Sequence, residues 1–227
     1  EYLLVEVTMG ILIAFLFYQQ IFNFQFQILN FQNIQAIFNL IFRIFFVTIL
    51  MIVTITDFKK TLIPDRVVIP AILISFVSLM AFTIYRVGYL YWYLNQSAIG
   101  KLLLPPQSDY FYRHAFYAME PLIGGILTGV GIGGFFLALI IITKGKGMGG
   151  GDVKLGAFMG LVLGFPAGVL AVVLSFLTGA VSALALIIFG KKHFGQNIPF
   201  GPFLVIGSLI ALFWGQEIIN WYIMLSK

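Results

Sequence analysis

Two aspartates, Asp57 and Asp152, adjoin long apolar stretches, where a charged side chain is costly and usually functional. Asp57 ends one apolar segment and Asp152 begins another. Two carboxyls brought close together cannot both ionise cheaply, so one of them holds a proton near neutral pH. Such a pair can activate water with its ionised member and protonate a leaving group with the other. The pair predicts the chemistry of an aspartic protease, which requires neither a metal ion nor a cofactor.

Ion transport is a second interpretation of the same pair. Judged by position alone, two intramembrane carboxylates more often mark a proton or ion pathway than a protease. Secondary transporters often contain inverted repeats with broken helices. No convincing repeat is visible here, because the two aspartate motifs differ in length and glycine content. A proton-coupled transporter that uses the same two aspartates therefore stays as the alternative, whereas a non-catalytic scaffold leaves both aspartates unexplained.

A glycine-rich connection precedes Asp152. Five glycines fall between residues 145 and 151, and the last three of them, Gly149, Gly150 and Gly151, lead directly into the aspartate. Glycine leaves room for another chain to approach, so this loop is a candidate to pair its backbone with an extended substrate peptide. The alternative is that the glycines only permit a turn between two apolar segments.

Composition assigns the chain to the membrane. Of its 227 residues, 61% are hydrophobic and only 9% are charged, whereas a soluble domain carries roughly 25% charged residues. The net charge of +5 does not predict binding to nucleic acid, because the basic residues are scattered between apolar segments. There is no cysteine, and neither of the two histidines has a second ligand at metal spacing. We expect no metal site and no nucleic-acid partner.

The apolar segments predict an all-α, polytopic membrane helical bundle that forms a single membrane-embedded domain over residues 1–227. A membrane-spanning helix needs about 20 residues. Segments of that order lie at about 2–22, 35–56, 64–86, 119–143 and 201–224, with two more inside 153–189. The last stretch is too long for one span, and residues 164–168 form a natural Gly-Pro break. Seven spans are predicted, with six as the alternative, and residues 87–118 form a long aromatic-rich loop.

The basic residues predict the orientation. With seven spans, three clusters containing eight of the 13 lysines and arginines fall on one side of the membrane, and the positive-inside rule makes that side cytoplasmic. Six spans would move the third cluster, Lys191 and Lys192, to the opposite side. Both aspartates lie on the predicted cytoplasmic side. The expected location is the inner membrane, with the active site toward the cytoplasm.

Three motifs in order resemble a known family. Thr56-Asp57 is followed by Ile63-Pro64-Asp65, then by the Gly-x-Gly-Asp motif that ends at Asp152 and continues to Lys154, and finally by residues 197–203, Asn-Ile-Pro-Phe-Gly-Pro-Phe. In this membrane context they resemble the bacterial type IV prepilin peptidases, which are polytopic Gly-x-Gly-Asp aspartic proteases. The likeness covers about residues 2–214. Presenilin and signal peptide peptidase share only the second motif and look less similar.

The resemblance implies a membrane aspartic endopeptidase that removes the leader peptide from type IV prepilins or pseudopilins at the cytoplasmic face. The family's catalytic aspartates match Asp57 and Asp152. Around them, residues that shape the site or contact the substrate are expected to be Gly149, Gly150, Gly151, Asp65, Lys154, Pro199 and Gly201. For Asp65 two roles stay open: a third acidic group that tunes the pair, or a residue that caps the third segment or orders its turn.

The chain departs from the family in one respect. Many bacterial members carry a cytoplasmic domain with paired cysteines and also methylate the new N-terminus with S-adenosylmethionine. This chain has no cysteine and opens at Tyr2 on a segment that resembles the span after that domain. Methylation is therefore not expected of these residues.

Overall fold

The computed structural model describes residues 2–21, 31–145, 148–189 and 199–225, and their regular secondary structure is entirely helical. The side chains of residues 2–4, 20–21 and 31–33 are outside this description. The described helices are α1 (Tyr2–Ile21), α2 (Phe31–Lys60), α3 (Asp65–Asn95), α4 (Ala98–Leu102), α5 (Tyr110–Ile142), α6 (Gly150–Leu163), α7 (Ala167–Ile188) and α8 (Gly201–Leu225). The prediction of an all-α bundle is confirmed.

Five of the described helices are long and apolar enough to cross a membrane, namely α2, α3, α5, α7 and α8. The described apolar part of α1 is shorter, and α6 has only 14 residues. At 1.5 Å per residue, α6 is about 21 Å long, against a hydrocarbon core of about 30 Å. The chain is therefore a multi-pass membrane protein. All seven predicted apolar segments are helical, and α6 is shorter than the length that spans the hydrocarbon core.

The predicted break within residues 153–189 is confirmed. Helix α6 ends at Leu163, and α7 begins at Ala167. Between them, Gly164 adopts a φ of +64°, a backbone angle that residues with a side chain rarely adopt, and Pro166 directly precedes the new helix. The single long helix required by the six-span alternative does not form.

Glycines allow α6 to pack tightly against α5. A Cβ added at Gly160 would lie 2.8 Å from the Cα of Gly129. Gly125 lies beside Leu161, and Gly133 lies beside Ala157, so the two helices run antiparallel. Small residues four apart permit this close approach in lipid, where hydrophobic burial does not drive association.

Helices α7 and α8 are also antiparallel. Gly179, in the second half of α7, faces Phe203 near the start of α8, and Gly215 lies against Ala167 at the start of α7. The starts of α6 and α8 both contact Ile63, in the turn between α2 and α3. The end of α2 and the starts of α3, α6 and α8 therefore meet at one end of the bundle, which we call the site end.

A single large core cluster lies beneath the site end. Its fully buried members come from α2, α3, α5, α6, α7 and α8 and include Phe46, Val68, Phe136, Phe158, Ala171 and Leu204. The Phe46 and Phe158 rings are 5.3 Å apart. This packing joins α2, which contains Asp57 in its last turn, to α6, which contains Asp152 in its first turn.

The prediction of a long loop over residues 87–118 is wrong for most of this range. Helix α3 continues to Asn95, the short α4 follows, and α5 begins at Tyr110. Aromatic residues four apart support the extension of α3. The Tyr85 and Tyr89 rings are tilted with centres 6.4 Å apart, and the Tyr89 and Tyr93 rings are stacked with centres 6.3 Å apart. With 31 residues, α3 is about 46 Å long and exceeds the hydrocarbon core. Its aromatic end lies away from the site end, where an interfacial belt is expected.

Candidate functional site

Asp57 lies in the last turn of α2, one turn before the helix ends at Lys60. Its side chain is only 4% exposed. The backbone N–H of Gly201, the first residue of α8, donates a hydrogen bond to its carboxylate. The first N–H groups of a helix have no intrahelical acceptor, so the start of α8 provides a natural partner for a carboxylate.

Asp152 lies in the first turn of α6 and is 7% exposed. Gly149 precedes the helix in an extended conformation, with φ −92° and ψ 159°. Its backbone N–H donates to Oδ2 of Asp152 over 3.1 Å. This is the half of a capping box in which the third helical residue reaches back to the N-cap residue. The hydrogen bond fixes the orientation of the carboxylate at the start of the helix.

The fold brings the two predicted aspartates to the site end. The Asp57 carboxylate is close enough to act electrostatically on that of Asp152, and both side chains are buried. Each carboxylate accepts a hydrogen bond from a glycine N–H at the start of a helix. This is a pair of shielded, oriented carboxyls, an arrangement that can exchange protons with a bound water or peptide.

Ile63 lies beside both Gly151, which precedes Asp152, and Gly201, which donates to Asp57. A Cβ added at Gly151 would lie 2.7 Å from Cβ of Ile63, too close for any side chain. A Cβ added at Gly201 would lie 3.5 Å from Cδ1 of the same isoleucine and would collide with the Asp57 carboxylate. Ile63 belongs to the Ile63-Pro64-Asp65 motif, which by itself predicts no role for this side chain. Its only sequence signal was its place before Pro64 in the Ile-Pro-Asp motif.

Asp65 and Lys154 form an ion pair, with 2.6 Å between Lys154 Nζ and Asp65 Oδ1. Asp65 is the first residue of α3, and Pro64 occupies the N-cap position without a capping side-chain hydrogen bond. Asp65 therefore does not cap α3 through a side-chain hydrogen bond. Both side chains are partly exposed, and their contact links the start of α3 to the first turns of α6.

The remaining predicted site residues also lie at the site end. Gly149 and Gly150 are exposed, and a Cβ on Gly150 would meet nothing within 4 Å. Pro199 is half-buried and stands two residues before Gly201. Asn197, which begins the third motif, lies outside the described residues, as do Lys146, Lys191 and Lys192. In the described part of the chain, no group of three or more acidic or histidine side chains could hold a metal ion.

The fold and the site define a multi-pass helical membrane protein with two buried carboxyls at one end of its bundle. The family model that describes the type IV leader peptidases matches residues 44–184. This region contains both aspartates and most of the core beneath them. The chain belongs to the type IV leader peptidase family.

Curated relatives agree with this assignment. The chain is 31% identical over 181 residues to a prepilin leader peptidase/N-methyltransferase of Bacillus subtilis (strain 168), an alignment that covers 80% of this chain and 58% of the relative. A relative of the same name from Aeromonas salmonicida (strain A449) is 38% identical over 104 residues, covering 46% of this chain and 36% of the relative.

A third relative with that name, from Legionella pneumophila, is 47% identical over 76 residues, covering 34% of this chain and 26% of the relative. These alignments therefore span at most about three fifths of the length of these relatives. No solved structure matches the chain.

Proposed function

We propose that this chain is an aspartic endopeptidase whose catalytic pair is Asp57 and Asp152, and that it removes the leader peptide from type IV prepilins or pseudopilins. The observation that carries the proposal is the meeting of two buried carboxyls at one end of the bundle, in a chain of this family. The relatives' printed names include a prepilin leader peptidase activity, and the site provides the groups that peptide hydrolysis requires.

The pair acts in one protonation state, with one carboxyl protonated and the other ionised. The ionised carboxylate removes a proton from a water molecule, and the water oxygen attacks the carbon of the scissile peptide bond. The protonated carboxyl donates a hydrogen bond to the carbonyl oxygen as negative charge develops there. A proton then passes to the amide nitrogen, the C–N bond breaks, and the products are a carboxylic acid and an amine.

Helix starts keep both carboxyls in place during this cycle. Gly201 N–H donates to Asp57, and Gly149 N–H donates to Asp152. Such donors favour the ionised form and restrain the side-chain orientation. Because the pair lies at one end of the bundle, a peptide bond just outside the membrane-embedded part of a substrate can reach it. With the positive-inside orientation, cleavage takes place at the cytoplasmic face of the inner membrane.

The proposal assigns residues 1–227 to a single peptidase domain, without a metal or cofactor in its mechanism. The transporter alternative uses the same two aspartates, but the family assignment and the relatives' names give it no support. The relatives' printed names also include N-methyltransferase. Our proposal for this chain is limited to the peptidase reaction.

The test is an assay of the purified chain with a prepilin in detergent or proteoliposomes, followed by mass spectrometry of the products. We expect a single cut that releases the leader just before the hydrophobic helix of the substrate. Asp57→Asn and Asp152→Asn, which keep the side-chain size but cannot supply a carboxyl, should abolish cleavage while thermal unfolding in detergent stays close to that of the wild type. Robust cleavage by either variant would remove that residue from the catalytic pair.

Transport needs a separate assay, because loss of cleavage does not address it. Proteoliposomes with an internal pH dye should show no aspartate-dependent proton flux. If the wild type moved protons and left the prepilin intact, the transporter alternative would replace the peptidase proposal.

A further inference from the structure

Besides the two aspartates, the site end contains a side chain that lies against both the first turn of α6, which contains Asp152, and the start of α8, which donates to Asp57. We propose that Ile63 is a positioning residue that acts as a spacer and sets the separation between the Asp57 and Asp152 carboxyls. The inference rests on the proposed peptidase function. It gives a specific task to the turn between α2 and α3, whose Ile63 side chain is 8% exposed and belongs to the main core cluster.

On the Asp152 side, the spacer contacts the residue immediately before the aspartate. The position that a Cβ of Gly151 would occupy lies 2.7 Å from Cβ, 3.3 Å from Cγ1 and 3.4 Å from Cδ1 of Ile63. The backbone of the first turn of α6 therefore rests directly on the isoleucine. Because Asp152 belongs to this same turn, the location of Ile63 limits how far the aspartate can approach the end of α2.

On the Asp57 side, the spacer contacts the residue that donates to the aspartate. Cδ1 of Ile63 lies 3.5 Å from the position that a Cβ of Gly201 would occupy, at the start of α8. The N–H of Gly201 is the donor to the Asp57 carboxylate. The same isoleucine thus lies against the start of α6, whose first turn contains Asp152, and against the start of α8, whose first N–H donates to Asp57.

The spacer is itself well fixed. Isoleucine is branched at Cβ, so it has few side-chain rotamers. Because Pro64 follows it, the backbone of Ile63 is also restricted. The Asp65–Lys154 ion pair, two residues further along, links the start of α3 to α6. A stiff side chain in a restrained turn maintains a distance better than a flexible one such as methionine.

The spacing of the carboxyls controls both rate and proton sharing. Misplacement of reacting groups by about 1 Å can cost about 100-fold in rate. The separation also sets how strongly the two carboxyls couple, and therefore the gap between the two limbs of the pH–rate profile. Ile63 is buried and lies against Gly151 and Gly201, so its truncation should lower kcat and leave KM nearly unchanged.

The test compares Ile63→Ala with Ile49→Ala. Both residues are isoleucines of the same core cluster, 8% and 9% exposed, and Ile49 lies two turns before Asp57 in α2. The two variants therefore lose the same atoms from similar surroundings. We expect similar losses of thermal stability, about a 10-fold or greater fall in kcat for Ile63→Ala only, and a changed gap between the two pH limbs only for that variant. Ile63→Val, which keeps the branched Cβ, should recover most of the activity.

Equal effects of the two alanine variants on kcat, with unchanged pH limbs, would overturn the inference and reduce Ile63 to a core residue. A change confined to KM would also overturn it, since it would place Ile63 against the substrate. If Ile63→Ala does not fold, Ile63→Met and Ile49→Met decide in the same way, because methionine keeps the volume of the side chain and removes its stiffness. The peptidase proposal fails by a different result, namely no cleavage by the wild type or cleavage by the Asp57→Asn or Asp152→Asn variants.

Discussion

The Asp57 carboxylate accepts a hydrogen bond from the backbone N–H of Gly201, so the end of α2 is joined directly to the start of α8. A side chain at position 201 would occupy the space of this carboxylate. The glycine therefore lets the start of a distant helix approach the aspartate closely enough to donate to it. The third sequence motif contributes to the site through this backbone contact.

Gly201→Ala should lower kcat by about 100-fold, because the added methyl group must displace the Asp57 carboxylate or the start of α8. Gly215→Ala is the matched control. It introduces the same methyl group in the same helix, but its nearest neighbours are at an ordinary 3.8 Å. Prepilin cleavage and thermal unfolding should be measured for both variants. Equal activity of the two would show that the contact at Gly201 is dispensable.

Loss of the Asp65–Lys154 ion pair should affect cleavage less than loss of either carboxyl of the proposed catalytic pair. Both side chains are partly exposed, and such pairs contribute about 0–1 kcal/mol to the free energy of unfolding. Asp65→Asn and Lys154→Gln should each keep clearly measurable cleavage, unlike Asp57→Asn. The exchanged variant, Asp65→Lys with Lys154→Asp, should recover activity lost by either single charge reversal. Complete inactivity of Asp65→Asn in a folded protein would instead favour a third acidic group in the chemistry.

The proposed sharing of one proton between Asp57 and Asp152 predicts how the rate of cleavage depends on pH. At low pH both carboxyls are protonated and no base remains, whereas at high pH both are ionised and no acid remains. The rate of cleavage should therefore follow a bell-shaped curve whose two limbs belong to the pair and not to either residue. The profile of kcat should be measured over a pH range in which circular dichroism shows an intact fold. A flat profile would contradict a carboxyl pair, and inhibition by EDTA would point to a metal that the proposed mechanism does not use.

The glycines before Asp152 now separate into two kinds. Gly151 has no space for a side chain because Ile63 fills it, whereas Gly150 faces open space. Gly151→Ala should therefore reduce kcat strongly, and Gly150→Ala is its matched control one residue away. Gly145 is a poor control because its φ of +74° disfavours any side chain. Measurements of prepilin turnover and thermal unfolding for both variants distinguish a specific loss of kcat from a general loss of stability. Equal activity losses that follow stability would favour a loop that only permits a turn.

The contact between Ile63 and Gly151 also reduces the part of the loop that could pair with an extended substrate. The sequence suggested that Gly149 to Gly151 leave room for an extended substrate. At Gly151 the room is taken by the protein's own Ile63, while Gly149 and Gly150 stay exposed. A KM increase in Gly150→Ala with unchanged kcat would indicate substrate contact there.

Hydropathy and motif order predicted the parts of the fold that depend on local pattern. The helical segments, the break at Gly164 and the placement of Asp57 and Asp152 at helix ends followed from apolar runs and glycine or proline signals. The extension of α3 through residues 87–95 did not, because aromatic residues are typical of both interfacial loops and helices. The role of Ile63 depends on contacts between residues far apart in the chain, for which a single sequence has no signal.

Orientation in the membrane is the last prediction. The starts of α6 and α8 and the end of α2 share one end of the bundle, so every connection at that end should lie on the same side. Reporters fused after Lys60, Lys146 and Lys192 should read cytoplasmic, as the positive-inside rule requires. A reporter at Gln107, between α4 and α5, should read external, because α3 and α5 both extend to the opposite end.

The fusion after Lys192 is the decisive one. Because α7 and α8 are antiparallel and Gly201 contacts Asp57, an external signal there would place the third motif across the membrane from both aspartates. That result would contradict the site and the proposed mechanism together. If all three site-end reporters read external and Gln107 read cytoplasmic, the site would stand and only its orientation would be reversed, so that the leader would be cleaved on the other face.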